Sequence, residues 1–140
     1  VDMRQAVRTM QVDTRRQGLL EITGQVHDWV REQGIAAGLL TIFCRHTSAS
    51  LVIQENAAPA VRRDMEAYFD RLAPESAGYE HDDEGPDDMP AHLKTALTGV
   101  QLSIPVINGM AMLGTWQGIY LFEHRTSPHR RTLALHLIGE

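Results

Sequence analysis

The run GLLTIFCRHTSASLVIQE, residues 38 to 55, carries the architecture of this chain. Gly38 to Cys44 is an almost unbroken apolar stretch, the pattern of a central strand covered on both faces. Ala49 to Glu55 reads as the strand beside it. His46, Thr47, Ser48 and Ser50 stand between the two apolar runs. A period of two puts Leu40, Ile42, Cys44 and His46 on one side, so an imidazole continues an inward-facing row where the hydroxyls begin. Those hydroxyls either satisfy a strand-end turn or line a site.

Upstream, residues 1 to 12 mix Arg and Gln with Val, Ala and Met, which predicts a half-exposed first strand. TRRQGLLEIT (14–23) continues as a second strand or one running into a helix. Ile22, Val26, Trp29 and Val30 fall at helical spacing, with Gly34 as the stop. Downstream, Pro59 in a first turn and the face Val61, Met65, Tyr68, Phe69 and Leu72 predict a helix ended by Pro74. ESAGYEHDDEGPDDMP (75–90) is a long acidic loop, and loops of that length are usually functional or disordered. A short helix starts near Asp88 (cap) and Pro90 and runs to Gly99. VQLSIPVI (100–107) and MAML (110–113) flank Asn108-Gly109, the strongest short hairpin signal. QGIYLFEHR (117–125) and RTLALHLIG (131–139) complete the strands. The expectation is one α/β (α+β) domain over residues 1–140: a large, mainly antiparallel mixed sheet with two or three helices packed on it.

A length of 140 residues suits one domain with its own core. The formal net charge of -5 argues against a general nucleic-acid binder, although Arg125, His129, Arg130 and Arg131 fall close enough together that they could form a local basic patch. Cys44 is the only cysteine, so neither an internal disulfide nor a Cys-rich zinc site is available. In apolar surroundings its thiol is inert rather than nucleophilic. No apolar stretch approaches the roughly 20 residues that span a bilayer, and the first residues carry no secretory h-region. The expected setting is the cytoplasm, with no membrane partner.

Seven histidines stand out. One hypothesis brings His46, His81 and His92 to a single divalent metal, because neutral imidazole is the commonest ligand and three of them leave an open position. Asp82, Asp83 and Glu123 would orient ligands or act as acid and base. Satisfied or solvated histidines are the alternative, and His27 and His136 read as structural. Trp116 is either core or part of a site, and Gly114 and Gly118 mark either a bulge or a close ligand approach. Arg125 to Arg131 could hold a phosphate or form an exposed basic turn. No dinucleotide or P-loop fingerprint and no nucleophile elbow is present.

RHTSASLVIQENA, YEHDDEGPDDMPAHLKTAL, IPVINGMAMLGTWQGIYLFEHR and the closing IGE together resemble the YjbQ-like family, often described as secondary thiamine-phosphate synthases. The resemblance runs from about Thr14 onward. Arg45 stands where relatives often carry a further histidine before the HTSA motif. The resemblance implies a compact α/β fold and a homotrimer with sites near subunit contacts. It also implies a weak activity that condenses a pyrimidine pyrophosphate with a thiazole phosphate. By motif it points to His46, Thr47, Ser48, Glu55, Asn56, His81, Asp88, His92, Gly114, Thr115, Trp116, Gln117 and Glu123. In that reading His46, His81 and His92 are metal ligands. Glu123 and His46 are catalytic, Glu123 as base or orienter. Thr47, Ser48, Glu55, Asn56, Asp88, Thr115, Trp116, Gln117 and Arg125 bind substrate, a small phosphorylated metabolite. The imidazoles favour zinc or a similar ion, whereas magnesium would suit the pyrophosphate. The rivals are a metal-dependent hydrolase of a small phosphorylated molecule and a non-catalytic metal- or metabolite-binding protein.

Overall fold

Period-two alternation builds two facing sheets. The computed structural model describes residues 2–140. Its strands are β1 (Arg4–Thr14), β2 (Gly18–Glu21), β3 (Ala37–Cys44), β4 (Ala49–Glu55), β5 (Gln101–Ile107), β6 (Met110–Ala111), β7 (Gln117–Glu123) and β8 (His129–Gly139). They divide into a five-stranded sheet, β1-β8-β3-β5-β6, and a three-stranded sheet, β2-β7-β4. Every pairing among the described residues is antiparallel. The fold class is therefore the α+β one expected, with its strands in two layers rather than one mixed sheet. Val1, the first residue of the expected opening strand, lies outside the described residues.

The inner faces supply the core. Leu40 and Ile42 on β3, and Leu133, Leu135 and Leu137 on β8, meet Leu51 on β4 and Ile119 and Leu121 on β7. Each such side chain, fully buried, contributes on the order of 1.5–3 kcal/mol. Helix α1 (Thr23–Glu32) adds Val26, Trp29 and Val30 to the same cluster. Gly34 follows at φ +63, a conformation that suits glycine. Helix α2 (Pro59–Leu72) covers the outer side of the small sheet, setting Met65 and Phe69 on Leu19, Tyr120 and Phe122. Helix α3 (Asp88–Thr98) packs beside β4. Asp88 is the first helical residue and Asp87 the N-cap, one position before the expected cap. Asn108 and Gly109, both at positive φ, close the β5–β6 hairpin as their sequence predicts.

Two expectations from the opening stretch change. β4 is not hydrogen-bonded to β3; it pairs with β7 in the other sheet. Residues 45 to 48 therefore carry the chain from one layer to the other, which is why the apolar pattern breaks there. β3 is also covered on one face only. Leu39 and Phe43 are exposed on its outer side, in register with Ile138 and Ala134 of β8, and no helix lies over them. The apolar run thus overstated the burial of this strand within a single chain.

Candidate functional site

The first turn of α3, the acidic loop and the 45–48 crossing meet at one end of the sandwich. His81, Asp88 and His92 each place a ligand atom within 4.8 Å of the others. Asp88 and His92 are four apart on the helix, so they share a face. The Asp88 carboxylate is fixed from behind, its Oδ1 accepting from Arg125 Nη1 at 2.9 Å. Its Oδ2 faces His81 Nε2 at 2.9 Å and His92 Nε2 at 3.2 Å. His92 Nδ1 lies 2.9 Å from the Thr47 carbonyl oxygen. A carbonyl only accepts, so the proton is on Nδ1. Nε2 of neutral His92 then turns a lone pair toward a carboxylate oxygen, an arrangement favourable only with a proton or a cation between them. An imidazole oriented by a backbone carbonyl is also how metal-ligating histidines are usually held. His81 Nε2 is shared with Glu84 Oε2 at 2.9 Å. The hydrogen bond to Asp88 raises the His81 pKa.

His46 is not part of this cluster. Its Nε2 accepts the Thr132 N–H at 2.8 Å, so its lone pair is engaged and its proton sits on Nδ1. Partial burial, and then the charge of Arg131, push its pKa down, which keeps the ring neutral. The expected grouping of His46 with His81 and His92 does not form; the side chains that gather are His81, Asp88 and His92. His46 instead lines a cleft of about 690 Å³ with Phe43, Thr47, His92, Ala96 and Val100. Thr95 also lines it and presents a buried hydroxyl without a hydrogen-bond partner among the described residues.

Glu123 does not sit as a general base. It is 0% exposed. Thr14 Oγ1 and Arg131 Nε donate to Oε1 at 2.6 and 2.7 Å, and Arg131 Nη2 and the Arg125 N–H donate to Oε2. Burial alone would raise its pKa, but the Arg131 guanidinium, Thr14 and the Arg125 N–H outweigh it and hold the carboxyl below its usual range. Arg125 is equally occupied. Its guanidinium donates to Asp87, Asp88 and the Glu84 carbonyl, so it fixes the acidic loop instead of holding a phosphate. For Asp87, burial works upward, yet Arg125 and the Thr126 N–H bring its pKa below the ordinary value. Ser48 contributes its carbonyl, which accepts from Arg131.

Behind this layer, Ser50 Oγ lies 2.9 Å from Nε2 of fully buried His124, and Thr98 Oγ1 donates to Ser50. Burial, and then the charges of Lys94 and Arg131, push the His124 pKa down to about 3. Between that value and the ordinary 6.5, the unfolded chain holds one more proton than the folded one, so stability falls as pH falls. The contribution is complete above about pH 6.5 and amounts to roughly 2 kcal/mol between pH 7 and pH 5. Urea unfolding at those two pH values is expected to show a difference of that size between the native chain and His124→Gln, which has no such proton to gain.

The remaining motif residues lie elsewhere. Glu55 pairs with Gln117 at one end of β4 and β7, whereas Ala49 pairs with Glu123 at the other. Six residues of strand separate them, roughly 20 Å. Glu55 Oε2 accepts the Ala57 and Ala58 N–H groups ahead of α2. Asn56 and Gln117 hold the 114–117 turn, the Asn56 N–H donating to the Trp116 carbonyl and Gln117 Oε1 accepting the Gly114 N–H. Thr115 and Trp116 sit on that turn, far from the imidazoles of their own chain. The sequence does not reveal that Asp88 joins the imidazoles, that Arg131 pairs with Glu123, that Ser50 meets His124, or that Thr95 faces the cleft. Two signals were available: the Asp88/His92 spacing on one helix, and Arg131 on the inward row of Leu133, Leu135 and Leu137.

Two antiparallel sheets with an imidazole–carboxylate cluster at the start of a helix define a small α+β protein with a candidate divalent-cation centre. The chain belongs to the YjbQ-like UPF0047 family: the family model described as UPF0047 protein YjbQ-like matches residues 8–140. It is 45% identical over 138 residues to the UPF0047 protein sll1880 of Synechocystis, covering 98% of this chain and 94% of that one. It is 44% identical over 134 residues to YjbQ of Salmonella typhimurium, covering 95% and 97%. Its structure is similar to that of SSO2532 from Sulfolobus solfataricus, a YbjQ-like protein of unknown function. There the TM-score is 0.92 at 28% identity, over 99% of this chain and 100% of that one. No helix among the described residues is long and apolar enough to cross a membrane.

Proposed function

We propose that this protein is a cytoplasmic, homotrimeric, metal-dependent transferase of the thiamine-phosphate synthase type, which condenses a pyrimidine pyrophosphate with a thiazole phosphate. The observation that carries the metal part is the pairing of His92 Nε2 with Asp88 Oδ2 at 3.2 Å while Nδ1 is committed to the Thr47 carbonyl. Two imidazoles and one carboxylate are a donor set that suits zinc or a similar divalent ion and leaves positions open. His81, Asp88 and His92 would hold the ion, with Arg125 and Thr47 orienting its ligands. A divalent ion there would stabilise the negative charge that gathers on a departing pyrophosphate.

The chain's own groups have narrower tasks. The cleft beside the cluster takes the ring systems against Phe43, Ala96 and Val100. His46, neutral and protonated at Nδ1, offers an N–H to a phosphate oxygen, and Thr47 adds a hydroxyl. The unpartnered Thr95 hydroxyl offers a further polar contact in the cleft wall. Condensation forms a bond from a thiazole nitrogen to carbon and breaks a carbon–oxygen bond to pyrophosphate. That nitrogen carries no proton, so no general base is required, and the saturated Glu123 carboxylate is compatible with the reaction. Trimer formation would cover the apolar outer face of the large sheet, where Val7, Leu39, Phe43 and Ile138 are exposed.

Incubating zinc-loaded protein with both precursors is expected to release thiamine phosphate and pyrophosphate, and His92→Ala to abolish it. Hydrolysis of phosphate esters without condensation would replace this reading by the hydrolase. Neither reaction would leave a metal- or metabolite-binding module.

A further inference from the structure

We propose that the cleft beside the cluster is the seat of the pyrimidine, and that Thr95 reads the polar edge of that ring. The proposal rests on the condensation reading of the site and adds which of the two precursors the cleft takes. One stripe of α3 and its C-cap residue builds the floor. His92, Thr95, Ala96 and Gly99 all line it, at the i, i+3, i+4, i+7 spacing of a single helix face. Along that stripe the side chains run from an imidazole to a hydroxyl, then a methyl group, then none. A Cβ on Gly99 would meet nothing within 4 Å, so the far end of the floor is open. Phe43 and Val100 supply the apolar wall. A slot of about 690 Å³ with an apolar wall and a few convergent polar groups is the form that small-molecule sites take.

Thr95 gives the slot its selectivity. It is 6% exposed, and its hydroxyl has no hydrogen-bond partner among the described residues. A helical threonine commonly bonds a carbonyl of the preceding turn, as Thr98 does with Oγ1 2.8 Å from the Lys94 carbonyl oxygen. Thr95 forgoes that bond at the wall of the cleft, and a buried hydroxyl left unpaired weakens the fold until a partner arrives. A hydroxyl both donates and accepts, so its complement is an edge with a donor beside an acceptor. An aminated pyrimidine has that edge, in a ring nitrogen and the amine next to it. The thiazole has none: its nitrogen must keep its lone pair free to attack, and its sulfur accepts only weakly. Thr95 also stands one turn past His92, about 5–6 Å away between Cβ atoms. A ring held there extends its pyrophosphate toward the ion proposed at His81, Asp88 and His92, and the thiazole phosphate approaches from the open side of the cleft.

The test measures binding to the full chain by NMR titration of three unreactive probes: an aminopyrimidine alcohol, the same alcohol without its amine, and a thiazole alcohol. The aminopyrimidine is expected to bind about 10-fold more tightly than its counterpart without the amine. Thr95→Ser is expected to keep that preference and Thr95→Val to lose it. Thr95→Val is also expected to unfold at a urea concentration no lower than the native chain does, because it removes an unpaired buried hydroxyl and keeps the shape of the side chain. An amine preference that survives in Thr95→Val would overturn the proposal, as would a thiazole alcohol whose affinity depends on Thr95 or an aminopyrimidine that does not bind the native chain. A destabilised Thr95→Val would overturn it too, by showing that the hydroxyl already has a partner in the free protein. These readouts require neither metal nor turnover. Amine-dependent binding without condensation would overturn only the functional reading, and condensation with pyrimidine binding indifferent to Thr95 only this one.

Discussion

Glu123→Ala is expected to lower the unfolding free energy by about 3–5 kcal/mol, because it strands the Arg131 guanidinium without a counter-charge inside the sandwich. Arg131 is 3% exposed and reaches Glu123 through both Nε and Nη2. Thr14 and the Arg125 N–H lose their acceptor in the same step. Glu123→Met with Arg131→Met is expected to recover most of that loss, since replacing a whole buried ion pair with apolar groups is often close to neutral. Urea unfolding of the three proteins checks both statements. A near-neutral Glu123→Ala would mean that the pair does not anchor this end of β7 and β8.

The second large effect concerns the metal. His92→Ala and Asp88→Asn each remove a donor. They are expected to weaken zinc binding by more than the roughly 100-fold that marks the upper range for loss of an orienting partner. Arg125→Met, which leaves the three donors in place and removes the hydrogen bonds behind Asp88 and along the acidic loop, falls within that 10–100-fold range. His46→Ala leaves affinity unchanged, because its Nε2 is already committed to the Thr132 N–H. Competition titrations against a chromophoric chelator give the ranking. Equal losses for His46→Ala and His92→Ala would restore the three-imidazole set.

Much of this architecture can be read from the sequence because it rests on local rules. The Asn108-Gly109 turn, Pro59 in the first turn of α2 and the inward row of β3 each depend on backbone geometry or periodicity within a few residues. What escaped depends on how layers stack. The apolar run of β3 looks the same whether its second face meets a helix, another sheet or a second chain. The crossing at residues 45–48 keeps the polar break while sending β4 to a different sheet. The site shows the same division. His81 and His92 stand out by residue type, but whether His46 joins them turns on one backbone N–H from β8, which no spacing encodes. Glu123 looks like a base until its four donors, drawn from β1, β8 and its own loop, are counted. Motif similarity grouped Trp116 with the histidines although β4 holds them apart within one chain.

Diffraction at the zinc absorption edge, on crystals grown with zinc and without phosphate, tests the central claim most directly. The predicted outcome is one anomalous peak per chain, about 2.0–2.2 Å from a His81 ring nitrogen, His92 Nε2 and Asp88 Oδ2. A map with no peak there, or with zinc held by His46 instead, would contradict it.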